Sequence, residues 1–493
     1  MFEERKLHPI ALIKEIIVNI RQNIVPIFVG FFSAFQAIRR NGFMPTWLLF
    51  AILLLLALLI LAPAILKYLT YRYTLEDEGI RIKYGLIFRK NIFIPYERIQ
   101  TIQQKQWFFY MPFNVTQILI ETAGTKGKAE GDLSAVPKSV ATELRDLREG
   151  KQNEMDEIEK ESVDNPFDVP KVKESEKPIR TIMLETKQLL LMAVTSSGVL
   201  GGFLILLAIF GQFQSAIPDE WLSESYDQIA RLGILMFLIL AALALLFMWG
   251  VSIIATLFKY FQFKVKQFEH HLEIEKGLLQ RNHTTIRLER IQGILITESP
   301  FRQMLGLVAV KLITAGSSGD NEHSGDILLL PIMKKKEALR VLLEILPNYH
   351  ITVEQIQKAP KTSLKRFVWI YFIWTIIPAV AVSLLFYPFG LIALLIPLLA
   401  IWKAICSYRA TAFGLGNGTV LFQARPFLSK TTYLVRKERI QSMQAKRSLW
   451  MERSQTNHMQ IAMKSGNGST SAYLRYLESS QATDIYTWYR PES

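Results

Sequence analysis

The sequence predicts a multi-pass α-helical membrane protein, six spans arranged as three hairpins, carrying three β-rich domains that each end in a helix. Two observations carry this prediction. The tetrapeptide ERIQ occurs at Glu97–Gln100, Glu289–Gln292 and Glu438–Gln441, and a recurrence with matching surroundings marks internal repeats. Long uncharged apolar runs stand between the copies, and 50% of the 493 residues are hydrophobic.

The repeats agree beyond the tetrapeptide. Gly85 precedes Glu97 by the interval at which Gly277 precedes Glu289, and Gly124 and Gly316 follow their glutamates at equal distances. The third copy is looser: Pro426 stands at the glycine position and Gly466 comes one residue late. Three diverged copies of one domain follow.

The apolar runs are read in order. Trp47–Leu66 is uncharged and long enough for a bilayer, which needs about 20 residues. Ile24–Ile38 is a weaker run before it. Leu189–Phe210 and Leu232–Phe258 form a second pair, Phe367–Tyr387 and Phe389–Cys406 a third. None shows the polar stripe of a buried soluble helix, and each pair stands before one ERIQ copy. The expected boundaries are 1–70 for an N-terminal helix and first hairpin, 71–150 for the first domain and 151–180 for a disordered linker. A second hairpin over 181–259, a second domain over 260–349 and a linker over 350–365 follow. A third hairpin over 366–406 and a third domain over 407–490 complete the chain. The linker is polar, of mixed charge and proline-containing, a composition that does not bury a core.

Pro9–Ile20 places apolar residues at 10, 12, 13, 16, 17 and 20, a helical face. Two readings stand: an amphipathic helix at the membrane interface, or a helix packed on the first domain. The N-terminal stretch lacks the pattern of a cleavable signal peptide. Cys406 is the single cysteine, which excludes a disulfide framework or zinc cluster within one chain.

Orientation follows from flanking charge. The second hairpin tip, Gly211–Ala230, has four acids and no Lys or Arg, while Lys67, Arg72, Lys187, Lys259, Lys365 and Lys403 lie at the opposite ends. Positive charge beside spans marks the cytoplasmic side. Both termini and all three domains are therefore expected on the cytoplasmic side of the membrane. Arg39 and Arg40 at the first tip run against the rule. The net charge of +14 is spread and interleaved with acids. It suits a surface facing anionic lipids and lacks a nucleic-acid recognition module.

In each copy short β-rich runs follow one another, such as "NIFIPYERI" and "TQILIETAG", separated by turn residues. The first copy closes with "PKSVATELRDLREG", proline at its start and glycine at its end. This order of strands, glycine hairpin, ERIQ, TAG and proline-led helix, attached to paired apolar helices, resembles the bacterial pleckstrin-homology-like domain family. The three-unit arrangement resembles multi-pass membrane proteins of bacilli built on that domain. The resemblance implies a seven-stranded β fold with a C-terminal helix in each copy, and a binding or assembly role without a catalytic centre or cofactor. It also implies a smaller membrane protein carrying the same domain as hetero-oligomer partner, and a part in protecting the envelope against membrane-active peptides.

Ile94, Ile99 and Ile102 recur as Ile286, Ile291 and Ile294, then as Val435, Ile440 and Met443. Apolar positions five and then three apart break a period of two, so a strand should turn or bulge at Glu-Arg. The isoleucines then plug the core. Arg98, Arg290 and Arg439 either pair locally or face a partner or lipid headgroup. The segments after ERIQ differ between copies, and the first is aromatic, "QKQWFFYMPF". Trp107 and Phe108 there are candidates for partner or membrane contact, or for core packing.

Enzyme signals are weak. The seven histidines are scattered and form no His-Glu-x-x-His pair. No nucleophile or base recurs beside ERIQ. "GLGNG" lacks the Lys and Ser/Thr of a phosphate loop, and no metal site is expected. The span centres hold no ionisable residue, which argues against a transporter or channel subunit exporting peptides. A lipid-headgroup-binding membrane protein is the other alternative to a scaffold.

Overall fold

The computed structural model describes residues 4–23, 46–86, 88–122, 130–147, 178–195, 239, 242–315, 326–349, 356–387, 389–466 and 468–490. The first domain holds β1 (Arg5–Lys6), β2 (Arg72–Leu75), β3 (Gly79–Tyr84) and β4 (Lys90–Pro95) in one antiparallel sheet. A 3-10 turn at Tyr96–Arg98 leads into β5 (Ile99–Trp107), β6 (Val115–Thr122) and β7 (Gly131–Pro137), and a helix at 138–147 follows. The second domain repeats the plan with β8 (Arg180–Met183), β9 (Lys264–Gln267), β10 (His271–Lys276) and β11 (Gln280–Arg287). The turn Leu288–Arg290 precedes β12 (Ile291–Glu298), β13 (Leu307–Thr314), β14 (Asp326–Lys334) and the helix Lys335–Ile345. The third uses β15 (Ile356–Lys358), β16 (Ala412–Leu415), β17 (Thr419–Ala424) and β18 (Lys430–Arg436). After the turn Lys437–Arg439 come β19 (Ile440–Lys446), β20 (Thr456–Ser465), β21 (Gly468–Glu478) and the helix Ser479–Tyr489.

The repeated motif is the corner at which the chain leaves one sheet for the other. A register irregularity follows each turn, between Ile99 and Thr101, Ile291 and Gly293, and Ile440 and Ser442. This bulge is what the five-then-three spacing demands, because an extra residue restores the apolar side chains to the inner face. Ile99, Ile291 and Ile440 are 0%, 2% and 8% exposed, each within its own domain's core. Gly85 and Gly277 take φ of +104° and +106° at matching hairpins, where a Cβ would meet a backbone oxygen at 2.2 and 2.1 Å. Only glycine fits there.

Within each unit the apolar segment and the domain interleave instead of following one another. In each domain the first strand comes from ahead of the apolar helices and the second from behind them: β1 and β2 flank Thr46–Thr70, β8 and β9 flank Ala242–Tyr260, and β15 and β16 flank the third hairpin. The membrane segments are thus insertions into the domains. Segments expected as hairpin and linker supply these first strands: 1–70 holds β1, the junction of 151–180 with 181–259 holds β8, and 350–365 holds β15.

Three helices among the described residues are long and apolar enough to cross a membrane: Ala242–Tyr260, Thr362–Leu385 and Gly390–Ala410. Large apolar side chains stand open on them, Trp374 at 78%, and need an apolar solvent. Thr46–Thr70 is a further 25-residue apolar helix with Lys67 in its last turn. Of the six expected spans, Ile24–Ile38, residues 196–210 and residues 232–238 lie outside the described residues, as do the tips Arg39–Pro45 and Gly211–Ala230 and the linker at 151–177. The beginning of the expected span at Leu189–Phe210 differs from expectation. Thr186–Val194 is a helix whose Met192 is buried among Leu307, Ala309, Leu328 and Ile332 of the second domain. Its last turn stops at Thr195, and Arg302 Nε donates to the Thr195 hydroxyl at 3.2 Å.

The N-terminal helix, at 11–23, packs on the first domain with an unexpected face. Leu7, Ile10 and Ala11 join the core, and the charged pair Lys14 and Glu15 is buried while Ile13, Ile17 and Ile20 are exposed. Lys14 Nζ donates to Asp132 at 2.8 Å and to Ser134 Oγ at 2.9 Å. Glu15 accepts from Ser134 at 2.7 Å and from Lys67 at 2.9 Å. Burial alone would push Lys14 down and Glu15 up. Asp132 and Glu15 outweigh it at Lys14, and Lys14 and Lys67 do so at Glu15, so both charges are held. Lys67 belongs to the following apolar helix, so the network ties that helix to the domain.

Candidate functional site

The sheets do not end at domain boundaries. One seven-stranded sheet runs β7-β6-β5-β11-β10-β9-β8, and a second runs β14-β13-β12-β18-β17-β16-β15. The strand after the motif in one domain therefore pairs with the strand before the motif in the next. At the first seam Ile102 faces Thr285 and Trp107 faces Gln280. At the second Ile294 faces Leu434 and Glu298 faces Lys430. Counted from the motif glutamates, Ile102 lies five after Glu97 and Thr285 four before Glu289. Ile294 lies five after Glu289 and Leu434 four before Glu438. The two seams share one register and one polarity, although their sequences differ.

Side chains lock each seam differently. At the first, Arg145 from the helix at 138–147 reaches Glu273 at 3.1 Å and His283 Nε2 at 3.1 Å. His283 lies 3.5 Å from both Glu273 and Glu275, and Lys266 holds Glu275 at 2.7 Å. Hydrogen bonding to His283 draws Glu275 down to about 2 against the effect of burial, with Lys266 assisting. Burial works against the His283 charge, yet Glu273 and Glu275 raise it above the ordinary value. A cleft of about 350 Å³ opens beside it, lined by Gln104, Thr116, Arg145, Glu275, Arg281 and His283. Glu273, Glu275 and His283 come within 4.8 Å of one another, a grouping with metal-ligand atoms. Arg145 and Lys266 already supply positive charge to both carboxylates, so the group reads as a neutralised seam network and not as a cation site.

At the second seam Lys335 holds Glu298 at 2.9 Å, Arg425 donates to Gln303 at 2.5 Å, and Arg439 donates to the Glu289 carbonyl at 2.9 Å. Thr419 of the third domain donates its hydroxyl to the carbonyl of Asn348, just behind the second domain's terminal helix, at 3.2 Å.

The three motif arginines therefore have different surroundings. Arg439 is a seam residue, Arg290 is half-buried, and Arg98 is exposed; neither Arg98 nor Arg290 has a side-chain partner among the described residues. Trp107 is half-buried at the first seam, stacked on Phe109 with ring centroids 5.9 Å apart. Phe108 donates its backbone N–H to Leu279 at 2.7 Å while its ring is 58% exposed. Arg145, Glu273, Glu298 and Lys430 were not legible as a site, because only the pairing of separate domains brings them together.

Two strands of the seam-forming type have one edge without a partner strand among the described residues. β4 is one edge of the first sheet, and β19 is one edge of the last, three-stranded sheet β19-β20-β21. Residues of β19 after Ile440 are mostly exposed, whereas their counterparts in β12 are nearly all buried.

Known proteins share this construction. The family model described as "Bacterial PH domain" matches residues 24–152, 203–348 and 370–493. The chain belongs to the bacterial PH domain family. Each match takes in apolar sequence together with a sheet domain. The chain is also similar to "UPF0699 transmembrane protein YdbT" of Bacillus subtilis (strain 168), 26% identical over 502 residues that cover 100% of this chain and 99% of that protein. With its exposed apolar helices, the chain is a transmembrane protein with repeated bacterial PH domains.

Proposed function

We propose that the chain is a non-enzymatic integral-membrane scaffold that assembles with another membrane protein through its bacterial PH domains. The observation that carries this reading is the pair of seams in one register, which leaves one of the two complementary seam strands open at each end of the array. An unpaired strand edge is a template for another chain. The partner is a smaller membrane protein carrying the same domain, bound as a hetero-oligomer. The domains and both termini lie on the cytoplasmic side of a bacterial plasma membrane, with six spans in three hairpins. Anionic lipids neutralise the basic faces near the membrane. Exposed Ile13, Ile17 and Ile20 lie one helical turn or less apart along one side of the N-terminal helix and supply an apolar stripe for the interface. The physiological role is protection of the envelope against membrane-active peptides.

Purification of the tagged chain from native membranes in mild detergent tests the reading. A second protein with bacterial PH domains should co-purify in fixed proportion. Recovery of the chain without any such protein, from cells that express one, would overturn it. Orientation is tested with Cys406→Ser chains carrying Ser223→Cys or a cysteine within 151–177. An impermeant thiol reagent added to intact cells should label the first and spare the second.

A further inference from the structure

The scaffold reading leaves open which strand the array accepts, and the charges on its two open edges answer that. β19 and β4 are complementary in type, since β19 is of the kind that follows the motif and β4 of the kind that precedes it. A head-to-tail interface that does not close extends without limit, so a second copy of this chain is the first occupant to consider. The shared register fixes what would meet. Met443, five after Glu438, would face Phe93, four before Glu97; Ala445 would face Asn91 and Lys446 would face Lys90.

The last pair sets this contact apart from the internal seams. At the same place the first seam sets Lys105 against Asn282 and the second sets Thr297 against Thr431. One position further, Gln106 faces Arg281 and Glu298 faces Lys430. Neither seam opposes like charges at these positions. A second copy would oppose Lys446 to Lys90 and, just past the strand, Arg447 to Arg89. Like charges directly opposite destabilise a strand pair, and such repulsion is a means of rejecting a wrong partner. Lys446 and Lys90 are both exposed, and Lys90, though its ammonium lies over the Tyr84 ring, keeps its charge at the edge to exert it.

Resting on the scaffold reading, we propose that the open edges refuse a second copy of this chain and select a strand from a different one. The occupant of β19 is the motif-preceding edge strand of another bacterial PH domain, with an acidic residue at the place of Lys90. It extends the β19-β20-β21 sheet in the register of the two internal seams.

Cysteine trapping with paired charge reversals tests this on full-length chains in detergent. One chain carries Cys406→Ser and Ala445→Cys, with or without Lys446→Glu. The other carries Cys406→Ser and Asn91→Cys, with or without Lys90→Glu. Mixed under mild oxidation, the unreversed pair should crosslink weakly. Either single reversal should raise the crosslinked fraction roughly fivefold, and reversal on both chains should return it to the low level. The chain with Lys90→Glu thus serves as the acidic probe strand, and raised salt should shrink the gain. Equal crosslinking in all four mixtures, or the highest yield from the unreversed pair, overturns the charge rule. Thermal melts of the reversed chains should match those of the parent, since both lysines are exposed. Co-purification of a partner from native membranes is a separate readout, so loss of the charge rule and loss of the scaffold reading are told apart.

Discussion

Arg439 donates to the backbone carbonyl of Glu289 at 2.9 Å, so the repeated corner of the third domain is fastened to the repeated corner of the second. Position in the array, and not the motif itself, decides what each motif arginine does. Arg439→Ala should weaken the second seam by about 1 kcal/mol. Faster amide exchange in β12 and β18, with β5 and β11 unchanged, is the expected result. Arg98→Ala, at the exposed end of the array, should alter neither seam.

Within the motif, the isoleucine and the arginine should separate cleanly. Ile291 is buried in the core of the second domain, and Ile291→Ala should cost about 2–5 kcal/mol. Arg290 lacks a side-chain partner among the described residues, and Arg290→Ala should stay within about 0.5 kcal/mol. Thermal melts in detergent measure both. Equal losses would give Arg290 a structural role.

Lys14 and Glu15 should be strongly coupled. Removing one partner leaves the other charge buried, which costs about 3–5 kcal/mol. Lys14→Met should therefore be severe, and so should Glu15→Gln to a lesser degree. The double change Lys14→Met with Glu15→Leu should cost less than the two single changes added together, because no buried charge is then left facing its lost partner. Additive losses in a melt series would mean that the two side chains act independently.

Much of this architecture is visible in the sequence, and the limits have physical causes. The bulge after the motif was legible because the isoleucine spacing violates a period of two at a single place. The hairpins at Gly85 and Gly277 were legible from their equal distance to the motif. The interleaving was hidden because Arg180–Met183 and Ile356–Lys358 are too short to show alternation, and apolar insertions separate them from the strands they join. The inner face of the N-terminal helix was misjudged for another reason. Lys14 and Glu15 interrupt an apolar face in sequence, and it is Asp132 and Ser134, more than a hundred residues away, together with Lys67, that make their burial favourable. The seams were hidden because strand pairing between domains leaves no local pattern. A run such as "QTIQQKQW", polar on both faces, was the one hint that β5 is covered along its edge.

The first seam should respond to pH, and the second should not. His283 is raised above its ordinary value of 6.5 by Glu273 and Glu275, despite burial and the neighbouring Arg145. A group raised on folding contributes stability that is complete below 6.5 and is lost as pH climbs through its folded value. Glu275 behaves in the opposite sense. Its carboxyl falls from 4.5 to about 2, so its contribution is present above 4.5 and is lost as pH falls towards 2. The second domain's side of the seam, β9 to β11, should accordingly be most stable between pH 4.5 and 6.5 and loosen above that range. Amide exchange of β10 and β11, corrected for the intrinsic rate, should show protection falling as pH is raised above 6.5. The β12 and β18 pairing has no histidine between its strands and should hold its protection over the same range. His283→Gln should flatten the response of the first seam. If the slope survived that change, or if both seams loosened together, the His283 network would not be its cause.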